Sequence, residues 1–354
     1  MNFLSKLLES MQRDHYESIL VTHPENRAYL SNFNGTSGWL LITAEQAFLI
    51  TDFRYYEQAA LQAPNFELIR QSESLDKTLK ELLILRNVSQ IGFEQDNLTY
   101  AQAISLMSQN PQCVFIPLTG YIESLRMVKT TEELAKMQAA TDISERTFLH
   151  ILDFIHAGLS EREVALEMEL FMREQGADGL AFEIIAASGP RASLPHGQPT
   201  ERILQNGDFF TLDYGAKYQG YCSDMTRTMV IGAASEEQEK VYRIVLDAHM
   251  QALAAVKPGI LGKDLDQIAR SVITEAGYGE YFGHGLGHGV GRNVHEAPSC
   301  GKAGNTVLLP GHVITIEPGI YIPQWGGVRI EDMVVVTETG YRNFNHTSKA
   351  LICL

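Results

Sequence analysis

The sequence predicts two domains of different classes, an α/β domain over residues 1–126 and an α+β domain over residues 127–354. Three observations support this prediction. The chain has 354 residues, more than twice the roughly 150 residues of an average domain. Short apolar runs alternate with amphipathic segments in the first part, whereas long capped helices, strands and glycine-rich connections fill the second. The apolar fraction of 45% is sufficient for two hydrophobic cores.

In the first domain, predicted helices and strands alternate. The segment Phe3–Met11 places its apolar residues on one helical face. Trp39–Thr43 and Ala47–Thr51 are apolar runs separated by a short polar step, which is typical of a hairpin. Asp52 is placed to cap a helix ending near Ala63. The remaining predicted elements are strands at Ile19–Val21, Phe66–Ile69, Ile91–Phe93 and Val114–Ile116, and helices at Leu75–Leu85 and Tyr100–Met107.

The second domain opens with two capping boxes of the form S/T-x-x-E. Thr130 with Glu133, and Ser160 with Glu163, match this pattern. They predict two helices, the first ending near residue 156 and the second near residue 175. The following predicted elements are strands at Phe209–Asp213 and Thr226–Ile231, and helices at Glu236–Val256 and Gly262–Ala276.

Charge and composition exclude several classes of protein. The net charge of −15 argues against a nucleic-acid-binding surface. The four cysteines form no C-x-x-C pair, which argues against a zinc ribbon or a thioredoxin-type site and is typical of a reducing compartment. The N-terminal segment carries charges from Lys6 onward, unlike a signal peptide. No apolar run approaches the ~18–20 residues of a membrane span. We therefore expect a cytoplasmic protein that binds neither nucleic acid nor membrane.

Several common enzyme motifs are absent from the sequence. It contains no P-loop, no G-x-G-x-x-G fingerprint, no G-x-S-x-G elbow and no H-E-x-x-H helix. These absences argue against kinases, dehydrogenases, serine esterases and zincin proteases.

Two carboxylates are placed at neighbouring apolar strands: Asp213 ends one predicted strand, and we expect Asp224 to sit on the next strand. If the chain turns near Tyr218–Gln219, they become near cross-strand neighbours. Two bare carboxylates at that distance repel each other, so that one would take up a proton. A divalent cation between them would remove this cost. The alternative interpretation, in which both cap turns at strand ends, stays open at this point.

Six further candidates occur at glycine-rich and strand-end positions. The stretch Gly283–Glu296 contains His284, His288 and His295 among glycines, which let the backbone approach a ligand closely. Imidazole is both the commonest nitrogen ligand and the acid–base group that titrates nearest neutrality. A flexible surface loop with incidental histidines is the alternative. Glu317 follows an apolar strand and precedes Pro-Gly, and Arg329 stands two residues before Glu331 on the next predicted strand.

These candidates together suggest a metal site. Four oxygen donors and one nitrogen donor suit Mn²⁺ or Co²⁺, with Zn²⁺ as an alternative. Five ligands exceed the need of one tetrahedral zinc ion, and bridging carboxylates would hold a metal pair. The five candidate ligands are Asp213, Asp224, His288, Glu317 and Glu331.

The order D…D…GHGxGH…H…EPG…VRIED resembles the metallopeptidase family with the pita-bread fold, and the resemblance covers about residues 128–354. That family includes methionine aminopeptidase, Xaa-Pro aminopeptidase and Xaa-Pro dipeptidase (prolidase). Tyr29–Gly38 resembles the "YLtgFtGSaG" stretch of the creatinase/prolidase N-terminal domain, and Thr51–Tyr55 resembles its "TDxRY". The resemblance implies a C-terminal pita-bread catalytic domain preceded by a creatinase-like α/β domain.

The resemblance also implies a role for each candidate. Asp213 would bind one metal ion, His288 and Glu317 the other, and Asp224 and Glu331 would bridge the two. A hydroxide between the metals, most readily two Mn²⁺ ions, would attack the scissile carbonyl, with Glu317 helping to remove a proton from the water. The substrate site would be lined by three histidines and supported by an arginine that orients Glu331 or Asp224; these residues are His196, His284, His295 and Arg329.

The substrate class follows from comparison within that family. Methionine aminopeptidases usually lack both the large N-terminal domain and the histidine at position 284, so the Xaa-Pro branch is favoured. A dipeptidase needs a cation for the free carboxylate of proline, and between Arg292 and Arg329 the only basic side chain is that of Lys302. The sequence therefore favours an Xaa-Pro aminopeptidase over a prolidase, with a metal-free binding module as a remote alternative. The expected partners are peptides with proline second, and the expected assembly is a homodimer or homotetramer.

Overall fold

In the computed structural model of this chain, residues 3–354 are described, so the first two residues of the predicted N-terminal domain lie outside the description. The chain separates into two compact units between Leu125 and Arg126. Over residues 3–354, no helix combines the length and the apolarity needed to cross a bilayer.

The N-terminal unit contains one mixed sheet with helices between its strands. Its strands are β1 (Ser18–Val21), β2 (Trp39–Thr43), β3 (Ala47–Thr51), β4 (Glu67–Arg70), β5 (Gln90–Glu94) and β6 (Val114–Leu118). Its helices are α1 (Phe3–Asp14), α2 (Pro24–Ser31), α3 (Tyr56–Gln62), α4 (Leu75–Leu85), α5 (Tyr100–Gln109) and α6 (Tyr121–Arg126), the last ending on the first residue of the second unit.

This sheet has the order β4-β3-β2-β1-β5-β6 and is buried on both faces. The hairpin β2–β3 is antiparallel, as predicted, whereas β5 runs parallel to both β1 and β6. Successive side chains of a strand point to opposite faces. Leu20 and Leu41 accordingly belong to one core cluster, and Ile19, Val21 and Leu40 belong to the other.

The C-terminal unit combines four helices with several short antiparallel sheets in its described residues. Its helices are α7 (Thr131–Phe154), α8 (Glu161–Glu174), α9 (Glu236–Ala255) and α10 (Gly262–Glu275). Its strands are β7 (Gly179–Leu180), β8 (Ile185–Ser188), β9 (Phe209–Tyr214), β10 (Ala216–Tyr218), β11 (Tyr221–Cys222), β12 (Met225–Val230), β13 (Gly287–Gly289), β14 (Glu296–Cys300), β15 (Val313–Ile316), β16 (Gly319–Ile322), β17 (Gly326–Arg329), β18 (Asp332–Val336) and β19 (Tyr341–Asn343).

Two of these sheets position the chemistry described below. One has the order β12-β9-β8, and the other has the order β14-β13-β15-β18-β19. The amide of Glu331, between β17 and β18, donates to the carbonyl of Thr226 in β12 at 3.1 Å, so the two sheets meet at this point. The buried clusters of apolar side chains lie on both sides of these sheets.

The long helices start where the capping boxes predict. The side chains of Thr130 and Ser160 accept from the amides of Glu133 and Glu163, and both boxes are complete. The turn predicted near Tyr218–Gln219 also forms. It joins the antiparallel strands β10 and β11, and its residues Gln219 and Gly220 have positive φ values of 48° and 77°. The helix predicted from Asp52 is different, since a 3₁₀ turn over Phe53–Tyr55 precedes α3. Helices α2 and α6 and strand β8 were not predicted.

Candidate metal centre

Asp213 and Asp224 lie side by side at one end of the β9–β12 ladder. Asp213 is in β9 and is paired with Thr226 of β12, which places Asp224 just beyond the start of that strand. The prediction that Asp224 sits within a strand is therefore wrong: it occupies the short break between β11 and β12. Because Asp224 lies outside the strand, the alternation of strand side chains between the two faces does not fix its direction. The residue is 3% exposed.

Glu317 and Glu331 come from the second sheet. Glu317 follows β15, and its amide donates to the carbonyl of Leu286 at 2.8 Å. Glu331 occupies a break between β17 and β18, and its Oε2 accepts from the Thr226 hydroxyl at 2.6 Å. Glu331 is therefore held by β12, the strand that follows Asp224.

His288 of β13 completes the group. Its Nε2 lies 3.3 Å from Oε1 of Glu317 and 3.6 Å from Oδ2 of Asp224. Its Nδ1 faces the carbonyl of Gly289 at 3.2 Å, which leaves Nε2 for the carboxylates. Ligand atoms of Asp224, His288 and Glu331 all lie within 4.8 Å of one another. The structure thus brings together the five side chains that the sequence suggested as ligands, at one cavity of about 320 Å³.

Without a cation, this cluster is electrostatically unfavourable. Burial and then the charge of Glu331 raise the pKa of Asp224 well above its usual range, and burial and then the charge of Glu317 do the same for the pKa of Glu331. Burial also raises the pKa of Asp213, although Arg329 opposes it. Burial would raise the pKa of Glu317 as well, but the hydrogen bond and charge of His288 outweigh it and lower that pKa.

One atom of the cluster is left without a partner. Oδ1 of Asp213 is buried and accepts no hydrogen bond from any described residue. A buried acceptor in this state is unfavourable unless another group satisfies it. A divalent cation would supply both the partner and the positive charge that the clustered carboxylates require, and oxygen-rich donor sets suit such ions. The residues present therefore fit a metal centre.

Arg329 is not placed as predicted. The sequence suggested that it orients Glu331 or Asp224, but its Nη2 donates to Oδ2 of Asp213 at 2.6 Å. Its Nε donates to the Thr226 hydroxyl at 3.0 Å, and this hydroxyl in turn donates to Glu331. The buried guanidinium thus holds one oxygen of Asp213 directly. It is connected to Glu331 only through the hydroxyl of Thr226.

The three other histidines line the same cavity. His295 is close to the ligands, with its ring centroid 4.2 Å from that of His288, and burial lowers its pKa. His284 accepts from or donates to the Tyr321 hydroxyl at 2.9 Å, and burial lowers its pKa too. His196 lies on the exposed loop after a 3₁₀ turn at Gly189–Ser193.

Sequence reasoning missed several residues that support the site. Tyr321 bridges His284 and Arg329, and its hydroxyl accepts from Nη1 of Arg329 at 2.8 Å. The Thr315 hydroxyl accepts from the His288 amide at 3.1 Å and lies 3.3 Å from Oε1 of Glu317. Thr226 and Tyr321 carry no motif of their own. Their positions, two residues after Asp224 and four after Glu317, are the signal that could have found them.

Two family models match this chain. The model of metallopeptidase family M24 matches residues 135–338, and the model of the creatinase/prolidase N-terminal domain matches residues 4–128. The chain belongs to metallopeptidase family M24. The predicted family, the pita-bread fold with a creatinase-like N-terminal domain, and the metallopeptidase activity are thereby confirmed.

Relatives of this M24 chain extend over its whole length. It is 38% identical to the Xaa-Pro dipeptidase of Pyrococcus horikoshii, with 99% of this chain and 98% of that protein covered. The solved Xaa-Pro dipeptidase from Bacillus anthracis is similar with a TM-score of 0.96, 43% identity and 99% of both chains covered. The X-Pro aminopeptidase from Thermotoga maritima is similar with a TM-score of 0.94, 36% identity and 100% of both chains covered.

Proposed function

We propose that this M24 chain is a dinuclear metal-dependent exopeptidase that hydrolyses Xaa-Pro dipeptides. The observation that carries the proposal is the convergence of four carboxylates and one imidazole at a cavity whose lining includes three further histidines. The dipeptide preference is supported by relatives named Xaa-Pro dipeptidase that match nearly the whole chain. The sequence alone favours an Xaa-Pro aminopeptidase over an Xaa-Pro dipeptidase, and the present proposal reverses that preference.

In this proposal, Asp213, Asp224, His288, Glu317 and Glu331 hold two divalent ions. Mn²⁺ is the preferred ion, with Co²⁺ and Zn²⁺ as alternatives, because all three accept mixed carboxylate and imidazole ligands. When bound, such ions act as Lewis acids and make water available as a nucleophile near neutral pH. Arg329 opposes the rise that burial causes in the pKa of Asp213, and it fixes the orientation of that carboxylate through a 2.6 Å hydrogen bond.

The side chains of this chain handle the protons. Glu317 is ionised, because its pKa is lowered by His288 despite burial, so Oε1 or Oε2 can accept a proton from the attacking water. His295 can donate a hydrogen bond to the oxygen of the scissile carbonyl as negative charge develops there. His196, on the exposed loop after the 3₁₀ turn, holds the substrate backbone. His284 is held by Tyr321, which keeps its ring at the wall of the cavity.

The apolar part of the cavity suits a proline ring. Phe182, Ile185, Pro195 and Val294 line the cavity beside the histidines. A prolyl nitrogen carries no N–H and its φ is fixed, so a pocket that offers contact area but no acceptor can select it. A secondary amide in the same position would bury an unsatisfied donor.

A specific observation also supports a second candidate, the Xaa-Pro aminopeptidase. Among the described residues lining the cavity, Arg329 is the only arginine or lysine, and it already pairs with Asp213. The carboxylate of a dipeptide would therefore need a cation from outside this lining, such as Lys302. A longer peptide would carry that charge away from the acidic centre.

The experiment compares Ala-Pro, Ala-Pro amide and Ala-Pro-Ala with the Mn²⁺-loaded protein. The amide differs from the dipeptide only in the charge of its C-terminal group, so it isolates recognition of the carboxylate. Under the proposal, kcat/KM is highest for Ala-Pro, and the amide is a poor substrate. A higher kcat/KM for Ala-Pro amide and Ala-Pro-Ala would reject the dipeptidase and support the aminopeptidase. Absence of hydrolysis with all three would reject both.

The source of the missing cation is tested in the same assay. Lys302→Met removes the only lysine or arginine between Arg292 and Arg329. If Lys302 recognises the carboxylate, KM for Ala-Pro rises and KM for the amide does not change. Lys263→Met is the matched control, because Lys263 contacts the Asn305 side chain at 3.0 Å and does not line the cavity.

A further inference from the structure

Glu296, the residue after His295, lies in a buried ion cluster that the chemistry above does not use. Its Oε2 accepts from Nη2 of Arg126 at 2.5 Å, and its Oε1 accepts from Nζ of Lys129 at 2.8 Å. The exposed fractions of the three side chains are 2% for Arg126, 1% for Lys129 and 7% for Glu296. One carboxylate thus balances two cations that water does not reach.

Burying three charged side chains together has a cost in free energy. Removing charges from water is unfavourable, and their mutual attraction offsets this only when the geometry is good. Burial lowers the pKa of Lys129, while the adjacent charge of Glu296 opposes that effect. Loss of the Glu296 carboxylate would remove the hydrogen-bonded anion that Arg126 and Lys129 share.

The cluster is tied to the framework of the C-terminal unit. The Lys129 amide donates to the carbonyl of Gly311 at 2.9 Å, and Val128 forms a bridge with His312. This segment directly precedes α7, whose first turn is closed by the capping box of Thr130. Arg126 and Lys129 therefore approach Glu296 from a rigid base.

Glu296 also closes the turn that carries His295. The Asn293 amide donates to Oε2 of Glu296 at 3.4 Å, and the Gly291 carbonyl accepts from the Cys222 amide at 2.8 Å. A β-carbon at Gly291 would collide with the Glu296 carboxylate, so the turn and the carboxylate pack directly against each other. The turn from Gly291 to Glu296 is thus anchored from the side away from the cavity.

His295 itself has no such anchor. No described residue forms a hydrogen bond with its imidazole, and the side chain is exposed in the cavity wall. Apart from the contact of its ring with that of His288, its position is therefore set by its backbone. We propose that Glu296, clamped by Arg126 and Lys129, is a positioning residue that holds His295 at the scissile carbonyl. This inference rests on the role given to His295 in the proposed function.

The test uses Glu296→Gln in the full chain, with Glu94→Gln as the matched control. Glu94 is an equally buried carboxylate of the N-terminal unit and accepts from Thr22, His23 and Asn26. We expect Glu296→Gln to lower kcat for the best Xaa-Pro substrate by about 10–100-fold, the effect of a small misplacement of a catalytic group. KM and the metal content should not change, and Glu94→Gln should retain the kcat of the parent chain.

Two measurements on metal-free protein without substrate test this inference independently of the proposed function. In metal-free protein, Glu296→Gln should speed amide exchange across residues 290–296, and trypsin should cut after Arg292, which lies in the turn. Unchanged exchange and unchanged cutting would overturn the clamp, whether or not the chain hydrolyses Xaa-Pro bonds. Faster exchange with an unchanged kcat would overturn the positioning role. A loss of metal equal to that of His288→Ala would also overturn it.

A second variant covers the case in which Glu296→Gln does not fold. Lys129→Met removes one of the two cations and leaves the pair of Arg126 and Glu296 intact. The positioning role predicts a smaller loss of kcat than any Glu296 variant, with faster exchange over the same residues. A folded Lys129→Met protein with parental exchange and parental kcat would count against the clamp.

Discussion

Nη2 of Arg329 donates to Oδ2 of Asp213 at 2.6 Å, while Oδ1 of the same buried carboxylate accepts no hydrogen bond from any described residue. One oxygen of Asp213 is thus fixed by the protein, and the other is left to a further partner. Since Asp224, Glu317 and Glu331 lie at the same cavity, one guanidinium cannot balance four carboxylates. Without a cation, burial and then this excess of negative charge raise the pKa values of Asp224 and Glu331, and a bound divalent cation would offset that charge.

The first prediction concerns Asp224. Replacing it with Asn removes one negative charge from the ligand cluster while preserving its shape. We expect the purified variant to hold fewer metal ions than the parent chain and to lose activity, because metal affinity depends on ionised ligands. Metal content is measured by elemental analysis after dialysis without chelator. Asp142→Asn, an exchange at a carboxylate outside the cavity, is the control, and two ions with parental turnover in Asp224→Asn would contradict the assignment.

The second prediction separates two neighbouring histidines. His295→Ala should lower kcat by about 10²–10³, the effect of losing one donor to a developing oxyanion. Its metal content should equal that of the parent chain. His288→Ala should lose metal, because Nε2 of His288 faces Glu317 and Asp224. Equal metal loss in both variants would show that the two roles have been assigned wrongly.

The third prediction is a dependence of stability on pH. The pKa values of Asp224 and Glu331 in the folded, metal-free protein lie well above those of free carboxyl groups, because of burial and then mutual repulsion. Above the ordinary carboxyl pKa of about 4, the folded state therefore binds more protons than the unfolded chain. Under linkage, the contribution of these groups to the free energy of unfolding falls as pH rises toward the raised pKa values. At lower pH both states are protonated, so the stability is at its full value there and no longer depends on pH through these groups.

Thermal unfolding with chelator and with excess Mn²⁺ tests this prediction. Chelated protein should lose thermal stability as pH rises above the ordinary carboxyl range, and the metal should stabilise it most at the higher pH. Chelated Asp224→Asn should show a smaller loss over the same range, since it has one ionisable carboxylate fewer in the cluster. A steeper loss in that variant would reverse the sign and reject the argument.

The sequence allowed the ligand set to be predicted, because each of Asp213, Glu317 and Glu331 interrupts or ends an apolar stretch where burial without a partner would be unfavourable. It did not allow their supports to be predicted. The pairing of Arg329 with Asp213 joins residues 116 positions apart and depends on how two sheets meet. The break that carries Asp224 was likewise not predicted, because it is only two residues long and lies between two strands.

The helices, too, could be predicted from the sequence only where local signals determine them. Helices α7 and α8 could be placed from their capping boxes, which act within one turn. Helix α2 was missed because its buried face includes Asn26 and Arg27, so it lacks a clear apolar stripe. Arg27 is buried because it donates to carbonyls of Gly35 and Gly38, and only the folded structure provides that partner.

The last prediction concerns Asp332, which follows Glu331 and is fully buried. Its Oδ1 accepts from Nη2 of Arg227 at 2.8 Å, and its Oδ2 accepts from Lys349 at 2.7 Å and from Asn343 at 2.6 Å. Arg227 also donates to the carbonyl of Glu331 at 2.6 Å. Asp332→Asn removes the anion that pairs with the buried guanidinium of Arg227, and such a change typically lowers the free energy of unfolding by about 3–5 kcal/mol.

Denaturant unfolding measures the effect of Asp332→Asn against that of Glu169→Gln. Glu169 forms an i,i+4 pair with Arg173 at 3.0 Å on the surface, and such exposed pairs contribute about 0–1 kcal/mol. Because Arg227 links Asp332 to the backbone of Glu331, the folded fraction of Asp332→Asn should also bind metal more weakly than Glu169→Gln does. Similar small losses of stability in both variants would mean that Arg227 and Lys349 find other partners, and that the buried cluster does not hold Glu331 in place.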